Sequence, residues 1–304
     1  MFCKHLQFLI VFVSMNAFTI KDIENLSGVK AHTIRIWEQR YNFLKPQRTN
    51  TNIRYYTNEE LKIILNIALL NKYGYKISHI NKMNVGEMNQ KLNTISHNEA
   101  QQERLINELI SFMVDLEIGR FEELIDRQIH ERGIEKTIIE LIFPFLERTG
   151  ILWVTNNINP AQERLVINII RQKILVGIET SSTNIKSDKR ALLFLPEGEF
   201  HELGLLYVYY LLKNKGVHVL YVGADVPVED LESIVKVKKP DYLYTHLTAV
   251  GNNFNLEKFM NMVRSKTSNI PVMVSGPLTA TYKKSLPPDF NFLKSMQELK
   301  EFIS

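Results

Sequence analysis

Three residues at close spacing, Glu199, His201 and Gly204, form the segment of this 304-residue chain whose side chains could do chemistry together. A histidine can present a ring nitrogen to a metal. A carboxylate two residues earlier can orient that ring, and a glycine lets a large flat group approach the backbone. A single loop histidine is more often structural or solvated, so the surrounding elements must decide between the two interpretations.

A second candidate surface is basic and lies near the N-terminus. Residues 19–80 carry ten lysines and arginines against five acidic side chains, whereas the net charge of the whole chain is +4. The rest of the chain is therefore close to neutral. A basic lobe on a near-neutral body indicates that only the N-terminal part meets a polyanion such as DNA.

The elements that must position this basic surface are short. The pattern predicts a helix over 20–26, a helix over 31–41, a hairpin over 48–56 and a helix over 57–73. Ser27-Gly28 supplies the turn between the first two helices, and Thr57 with Glu60 forms a capping box. In the second helix Ile34 and Trp37 can pack inward. Together these elements predict a winged helix-turn-helix over residues 15–83.

The middle of the chain has helical periodicity after a polar stretch. Residues 84–101 are rich in Asn and Gln and are interpreted as a linker or a frayed helix start. Four helical patterns follow, over 102–116, 119–131, 133–149 and 160–176. Asn159 can cap the last of them, with Pro160 in the first helical position. The sequence therefore predicts a helical-bundle domain of four helices over residues 102–177.

After Arg190 the hydrophobic period changes from helix to strand. Short apolar runs over 191–195, 217–222, 242–245 and 271–274 alternate with helical stretches over 203–214, 228–236 and 255–266. This alternation predicts a doubly wound, Rossmann-like α/β domain with a parallel sheet over residues 190–304. Such sheets bind ligands outside the carboxyl ends of their strands, and Glu199 to Gly204 follows the first strand.

Composition excludes several classes of protein. The single cysteine, Cys3, excludes an internal disulfide framework and a cysteine-based zinc cluster, and it fits a cytoplasmic protein. The apolar stretch Phe8–Val13 is far shorter than the roughly 20 residues of a spanning helix, so no membrane partner is expected. It could be the core of a signal peptide, but no small-residue cleavage site follows. We favour Met15 as the start of translation.

The second helix and the hairpin of the basic lobe carry a distinctive set of residues: Thr33-Ile-Arg35, Trp37-Glu-Gln-Arg40-Tyr41, Leu44, Pro46, Arg48 and Arg54-Tyr55-Tyr56. In these residues the lobe resembles the MerR family of regulators. The resemblance implies a dimer on a two-fold operator of double-stranded DNA, with Arg35 and Arg40 near bases or phosphates. It places Arg48, Arg54 and Tyr55 on the backbone. Thr33 and Tyr41 are expected to face outward from the recognition helix, and Trp37 to support the core.

The remaining residues, from about 100 to 302, resemble the cobalamin-binding module of methionine synthase and of light-responsive MerR-type repressors. The resemblance rests on the spacing of Glu199, His201 and Gly204 in a doubly wound domain that follows a helical segment. It implies that His201 replaces the cofactor's own lower ligand on cobalt. The detached nucleotide tail would enter a slot lined by four residues: Thr245, Leu247, Ser275 and Gly276. Ser275 stands where the module has a first glycine, and its side chain could narrow the slot.

The helical segment is similar to the part of the module that covers the upper face of adenosyl-cobalamin. Trp153 and Glu163 reproduce the tryptophan and glutamate of that cover. Two departures are Val154 and Arg164, which stand where the light-responsive members have histidines. Val154 has no lone pair and is unable to take a vacated position on cobalt.

Three hypotheses of function follow. The leading one is a DNA-binding regulator that binds cobalamin, as adenosyl- or methyl-cobalamin, with light sensing as an option, and that controls operator binding through a homo-oligomer, a dimer or a tetramer. The second is the same regulator with a cofactor-free module used for oligomerisation or for binding an anti-repressor protein. The third is a corrinoid enzyme or carrier. The DNA lobe and the absence of a nucleophile constellation in the sequence favour a protein that is not an enzyme.

Overall fold

The computed structural model describes eight stretches of the chain and divides it into two compact units. The described residues are 17–41, 43–49, 51–95, 97–154, 158–183, 187–248, 254–267 and 270–303, with the backbone alone for 151–154. The units are residues 1–169 and 170–304. The start-site hypothesis at Met15 lies outside the described residues.

The first unit begins with the predicted helix-turn-helix. Its elements are α1 (Ile20–Ser27), α2 (Ala31–Arg40), β1 (Gln47–Arg48), β2 (Arg54–Tyr55) and α3 (Asn58–Lys72). Thr19 and Asp22 form a capping box on α1, which satisfies backbone N–H groups at the start of the helix. Gly28 ends α1 with φ of 72°, a left-handed conformation that glycine adopts without a steric penalty. The local turn chemistry therefore fixes where α2 starts.

The wing is a two-stranded antiparallel hairpin that is tied back to the start of the chain. Arg48 pairs with Arg54 in its register, and Phe18 forms a bridge to Tyr56. The Phe18 N–H donates to the Tyr56 carbonyl at 2.9 Å, and the Tyr56 N–H returns a bond of 2.8 Å. Both side chains are fully buried, so the base of the wing belongs to the core of the lobe.

Helices make up the rest of the first unit. They are α4 (Ile77–Ile80), α5 (Val85–Thr94), α6 (Asn98–Val114), α7 (Ile118–Arg132), α8 (Ile134–Thr137), a π-helical turn (Ile138–Ile142), α9 (Phe143–Val154) and the start of α10 (Pro160–Thr180). Helix α5 occupies the stretch that the sequence analysis interpreted as a linker or a frayed helix start. Its capping box joins Asn84 and Glu87, and it buries Met88 and Leu92. This polar stretch therefore contains a short amphipathic helix.

A proline explains why the third helical pattern is interrupted. Pro144 has no N–H to donate to the carbonyl four residues earlier, that of Glu140. The π-helical turn lies immediately before it, and the side-chain amide of Gln102 donates to the Glu140 carbonyl instead. Helix α6 thus supplies the hydrogen bond that the proline removes from the α9 segment.

Buried polar contacts join the helical segment to the helix-turn-helix inside the first unit. Arg148 of α9 donates from Nε to the Leu26 carbonyl at 2.5 Å and from Nη1 to Asn107 Oδ1 at 2.9 Å. Burial lowers the pKa of this guanidinium. The Leu26 carbonyl is at the carboxyl end of α1, where helix carbonyls lack internal partners. Arg148 therefore caps α1 from a different part of the fold.

The second unit is built on a five-stranded parallel sheet, which confirms the predicted doubly wound domain. The strands are β3 (Arg190–Pro196), β4 (His218–Val226), β5 (Tyr242–His246), β6 (Val272–Ser275) and β7 (Phe290–Leu293), in the order β4-β3-β5-β6-β7. The helices are α11 (Leu203–Asn214), α12 (Val228–Lys238), α13 (Leu256–Thr267), α14 (Pro277–Thr281) and α15 (Met296–Ile303). Strand β7 was not predicted.

The strand order has a functional consequence. The chain passes from β3 to β4 on one side, and then crosses to β5 on the other side of β3. Loops therefore diverge at the carboxyl ends of β3 and β5, which opens the crevice where doubly wound folds bind ligands. In the part of the chain that the structure describes, no helix is long and apolar enough to cross a membrane.

Candidate functional site

Glu199 is the anchor of the loop that follows β3. Its side chain is fully buried, and Oε2 accepts a hydrogen bond from the Thr248 backbone N–H at 2.8 Å. Oε1 accepts the His201 backbone N–H at 3.0 Å and lies 2.6 Å from His201 Nδ1. A buried carboxylate is stable only when its oxygens are bonded in this way. Glu199 therefore fixes both the loop after β3 and the loop after β5.

His201 is held through one of its two ring nitrogens. A carboxylate only accepts hydrogen bonds, so Nδ1 beside Glu199 carries the proton of the neutral ring, and Nε2 is then the nitrogen with the lone pair. The His201 side chain is 52% exposed, and its neighbour Phe200 is 65% exposed. The loop thus places a half-exposed imidazole next to an exposed apolar ring. That combination suits a flat, mostly apolar metal complex.

The four predicted slot-lining residues lie together at the carboxyl ends of β5 and β6. Thr245 and His246 are in register with Val274 and Ser275. Gly276 has φ of 101°, and a Cβ there would lie 2.4 Å from the Leu247 carbonyl oxygen, so only glycine fits. Thr245 Oγ1 is buried and has no hydrogen-bond partner among the described residues. An orphaned hydroxyl of this kind marks a place where a polar group of a ligand can bind.

His246 is a site residue that the sequence analysis did not include in the slot. Its Nδ1 lies 2.7 Å from Ser275 Oγ, and a Cβ added to Gly204 would lie 2.4 Å from its Nε2 and its Cδ2. Burial lowers the pKa of His246 to about 4, so the ring is neutral at physiological pH. No local pattern could reveal this contact, because Gly204 and His246 are far apart in sequence.

The two residues expected to cover the upper face are in the first unit. Trp153 is in the last turn of α9, and its side chain lies outside those described. Glu163 is in the first turn of α10 and is partly buried. One residue before it, the Gln162 amide donates to the carbonyls of Met113 and Val114 at 3.2 Å each, which fixes the start of α10 on α6.

The predicted DNA-binding residues of α2 face outward, as the helical periodicity indicates. Ile34 and Trp37 are buried, whereas Arg35 and Arg40 are exposed and Thr33 is partly exposed. Tyr41, at the end of α2, stacks on Phe43 with ring centroids 5.6 Å apart. The helix therefore presents a polar and basic face outward, as a helix that reads the major groove requires.

The predicted wing residues differ in how firmly they are held. Arg48 is exposed, and its Nη1 donates to Asn52 Oδ1 at 2.8 Å. The Tyr55 hydroxyl donates to Gln47 across the hairpin. Arg54 is held by Glu38 of α2, with Nε 3.2 Å from Oε2, and the hydroxyl of Tyr56 donates to the other oxygen of Glu38. One carboxylate thus joins the recognition helix to the wing.

Comparisons with known families match both parts of the chain. Residues 18–84 match the model of the MerR HTH family of regulatory proteins. Residues 189–290 match the model of the B12 binding domain. The chain also has a likeness in solved structures: the monomethylamine corrinoid protein of Methanosarcina barkeri aligns with a TM-score of 0.54 at 16% identity, covering 66% of this chain and 97% of that one. This last likeness supports the fold.

Two curated relatives match most of the chain. The HTH-type transcriptional repressor CarH of Myxococcus xanthus is 26% identical over 277 residues, covering 88% of this chain and 91% of the relative. The HTH-type transcriptional repressor CarA of the same organism is 28% identical over 259 residues, covering 84% and 85%. The chain is therefore a MerR-type DNA-binding transcription regulator with a C-terminal cobalamin (B12) binding domain, homologous to these two repressors.

Proposed function

We propose that cobalamin bound in the second unit controls operator binding by the first, through the oligomeric state of the protein. The observation that carries this proposal is the pair Glu199 and His201. A buried carboxylate holds Nδ1 of a half-exposed histidine, and Nε2 is the ring nitrogen that would coordinate a metal. Among the described residues no cluster of three or more His, Cys, Asp and Glu could hold a metal ion by itself. A single protein nitrogen suffices for cobalamin, whose corrin ring supplies the equatorial ligands.

The residues that would hold the cofactor fit it on the lower side. His201 would be the lower cobalt ligand and Glu199 its positioning residue, because an outer partner fixes the tautomer and orientation of a ligating histidine. Gly204, Thr245, Leu247, Ser275 and Gly276 would line the tail slot, and the orphaned Thr245 hydroxyl is the donor or acceptor that a tail would satisfy. When bound as adenosyl-cobalamin, the cofactor supplies a cobalt–carbon bond that light breaks.

On the upper side we propose that Trp153 and Glu163 cover the adenosyl group. Val154 has no nitrogen to offer, so no protein ligand from this position replaces the lost group after illumination. Solvent, and not a side chain at position 154, would then be the available donor on this side. This distinguishes the chain from regulators with a histidine after the tryptophan.

On DNA we propose a dimer on a two-fold operator, with α2 in the major groove. Thr33, Arg35 and Tyr41 face base edges, whereas Arg40, Arg48, Arg54 and Tyr55 contact the phosphate backbone. The domains are then residues 15–83 for DNA binding, a connecting segment over 84–101, the helical cap over 102–177 and the cobalamin domain over 190–304. The protein acts in the cytoplasm and is not an enzyme, in keeping with its repressor relatives.

A second candidate function is a module without cofactor that serves oligomerisation or binds an anti-repressor protein. The observation in its favour is the His246 ring, which contacts both Gly204 and Ser275 where a tail would enter. The two functions differ in whether the purified chain binds cobalamin.

The test is reconstitution of the full chain with adenosyl-cobalamin, followed by gel filtration and visible absorption in the dark and after green light. The proposal expects a bound chromophore, a spectral change on illumination and a change of oligomeric state that alters operator binding. His218→Ala is a matched control, because His218 is exposed at the opposite end of the sheet. A protein that emerges without chromophore from excess cobalamin contradicts the proposal and favours the second candidate.

A further inference from the structure

The space between Gly204 and the predicted slot-lining residue Ser275 is occupied by a side chain of this protein. The His246 ring lies against Gly204 so closely that a methyl group on that glycine would be 2.4 Å from two of the ring atoms. The same ring is 2.7 Å from Ser275. The ring therefore fills the gap between the start of α11 and the end of β6.

A chain of hydrogen bonds holds the ring in this place from behind. The Tyr244 hydroxyl donates to Ser275 Oγ at 2.6 Å, so the Ser275 hydroxyl proton is free to point at His246 Nδ1. Tyr244 is fully buried and Ser275 is 5% exposed, which makes the hydroxyl pair a rigid support. Nδ1 then acts as the acceptor, and the proton of the neutral ring is on Nε2. All three members of this chain are satisfied only while the ring stays on Gly204.

The Ser275 hydroxyl shows what a tail would gain. If the ring turned away, this hydroxyl would lose its acceptor, and a polar nucleotide tail that entered the vacated space could bond to it instead. Thr245, whose buried hydroxyl lacks a partner among the described residues, is on the other face of β5, because consecutive side chains of a strand alternate.

We propose that His246 is a gate on this slot and determines which corrinoids bind. With the ring on Gly204, a corrinoid without a nucleotide tail binds through His201 and leaves the gate in place. A corrinoid with a tail must displace the ring first. The proposal rests on the proposed cobalamin function, and it adds selectivity between tailless and tailed corrinoids.

The first test compares two probes, cobinamide without the tail and hydroxocobalamin with it, by visible titration of the full chain. If the gate is closed about nine-tenths of the time, the apparent affinity for the tailed probe is reduced by about tenfold. His246→Ala should therefore tighten cobalamin binding by about tenfold and change cobinamide binding by less than about twofold. Ser275→Gly removes the hydroxyl that supports the ring, so it should also raise the affinity for cobalamin relative to the affinity for cobinamide. His218→Ala should leave both affinities unchanged.

The outcomes separate the gate from the function on which it rests. Unchanged or weaker cobalamin binding in His246→Ala, with both probes still bound, overturns the gate and leaves the proposed function standing. A chain that binds neither probe, with or without His246, overturns both.

A second test needs no cofactor. Gly204→Ala should lower the Tm of the second unit by several degrees, because the methyl group and the ring compete for the same space. In a His246→Ala background the same glycine substitution should cost less than half of that shift. Equal shifts in the two backgrounds would show that the ring does not lie on Gly204, and the gate would be wrong.

Discussion

The two candidate surfaces of this protein are built in opposite ways. In the second unit a fully buried carboxylate, Glu199, orients a single histidine, so function depends on one atom in one geometry. In the DNA lobe the basic groups Arg35 and Arg40 are exposed on α2, and a long flexible side chain can reach a phosphate from many rotamers. A coordinate bond demands preorganisation, whereas a polyanion demands charge. A single substitution should therefore weaken cobalamin binding in the second unit far more than a single substitution in the lobe weakens DNA binding.

The largest effect is expected from His201→Ala. Loss of an outer partner of a metal ligand typically costs 10- to 100-fold in affinity, so loss of the ligand should weaken cobalamin binding by about a hundredfold or more. The absorption spectrum of residual complex should shift toward that of the cofactor without a protein nitrogen. Glu199→Gln should give an intermediate loss. If His201→Ala binds as the wild type does, the preorganised site is elsewhere.

A smaller effect, on stability, is expected at the contact between the DNA lobe and helix α9. Arg148→Met removes the donors to the Leu26 carbonyl and to Asn107, and hydrogen bonds from charged groups contribute about 2 kcal/mol. The free energy of unfolding of the first unit should fall by about that amount, and the amides of α1 should exchange faster with solvent. Arg127→Met, on the exposed side of α7, is the matched control. Equal effects of the two substitutions would mean that Arg148 does not cap α1.

The stability of the second unit should depend on pH, and near pH 6 this effect should be smaller than the loss caused by Arg148→Met. His246 has a folded-state pKa of about 4, whereas the unfolded chain takes up its proton near 6.5. The contribution of the neutral His246 ring to the free energy of unfolding is thus full above about pH 6.5 and is lost progressively as the pH falls toward 4. At pH 6 we expect a loss of about 1 kcal/mol in the free energy of unfolding, measured as a lower urea midpoint. His246→Asn should flatten this part of the pH profile. A wild-type profile that is already flat between pH 7 and 5 contradicts the buried, neutral ring.

The smallest effects belong to the exposed lobe. Arg40→Ala should reduce the slope of log K against log salt by about 0.9 if it neutralises one phosphate. Arg54→Ala should change the slope less, because Glu38 already compensates its charge. Lys258→Ala in the second unit serves as the control. Anisotropy titrations at several salt concentrations measure the slope, and a larger change for Arg54 than for Arg40 would reverse the assignment.

The sequence was sufficient where structure depends on local chemistry. Thr57 with Glu60 and the Ser27-Gly28 turn placed helix ends correctly, because caps act within one helical turn. The short apolar runs located four of the five strands of the parallel sheet. Strand β7 escaped notice because it lies at the sheet edge and buries only its first residue fully, whereas the equally short β6 is buried throughout and forms an apolar run.

Non-local contacts were beyond the sequence. The proximity of Gly204 and His246 follows from the crossing of the chain between strands, and nothing in either segment encodes it. The same holds for Arg148, whose partners Leu26 and Asn107 belong to two other helices. Helix α5 was left open between a linker and a frayed helix start for a different reason, since its Asn and Gln residues are typical of loops, although Asn84 and Glu87 form a capping box.

The double role of Glu38 sets a conflict for any variant selected for tighter operator binding. Removing this carboxylate would delete a negative charge close to the phosphates, which favours association. The same change would release Arg54 and Tyr56 together and let the wing move independently of α2. Gains in attraction would be offset by the entropy of ordering a loose hairpin on each half-site. Substitutions that strengthen binding should therefore accumulate elsewhere on the lobe, and an acidic residue should persist at the centre of a basic surface.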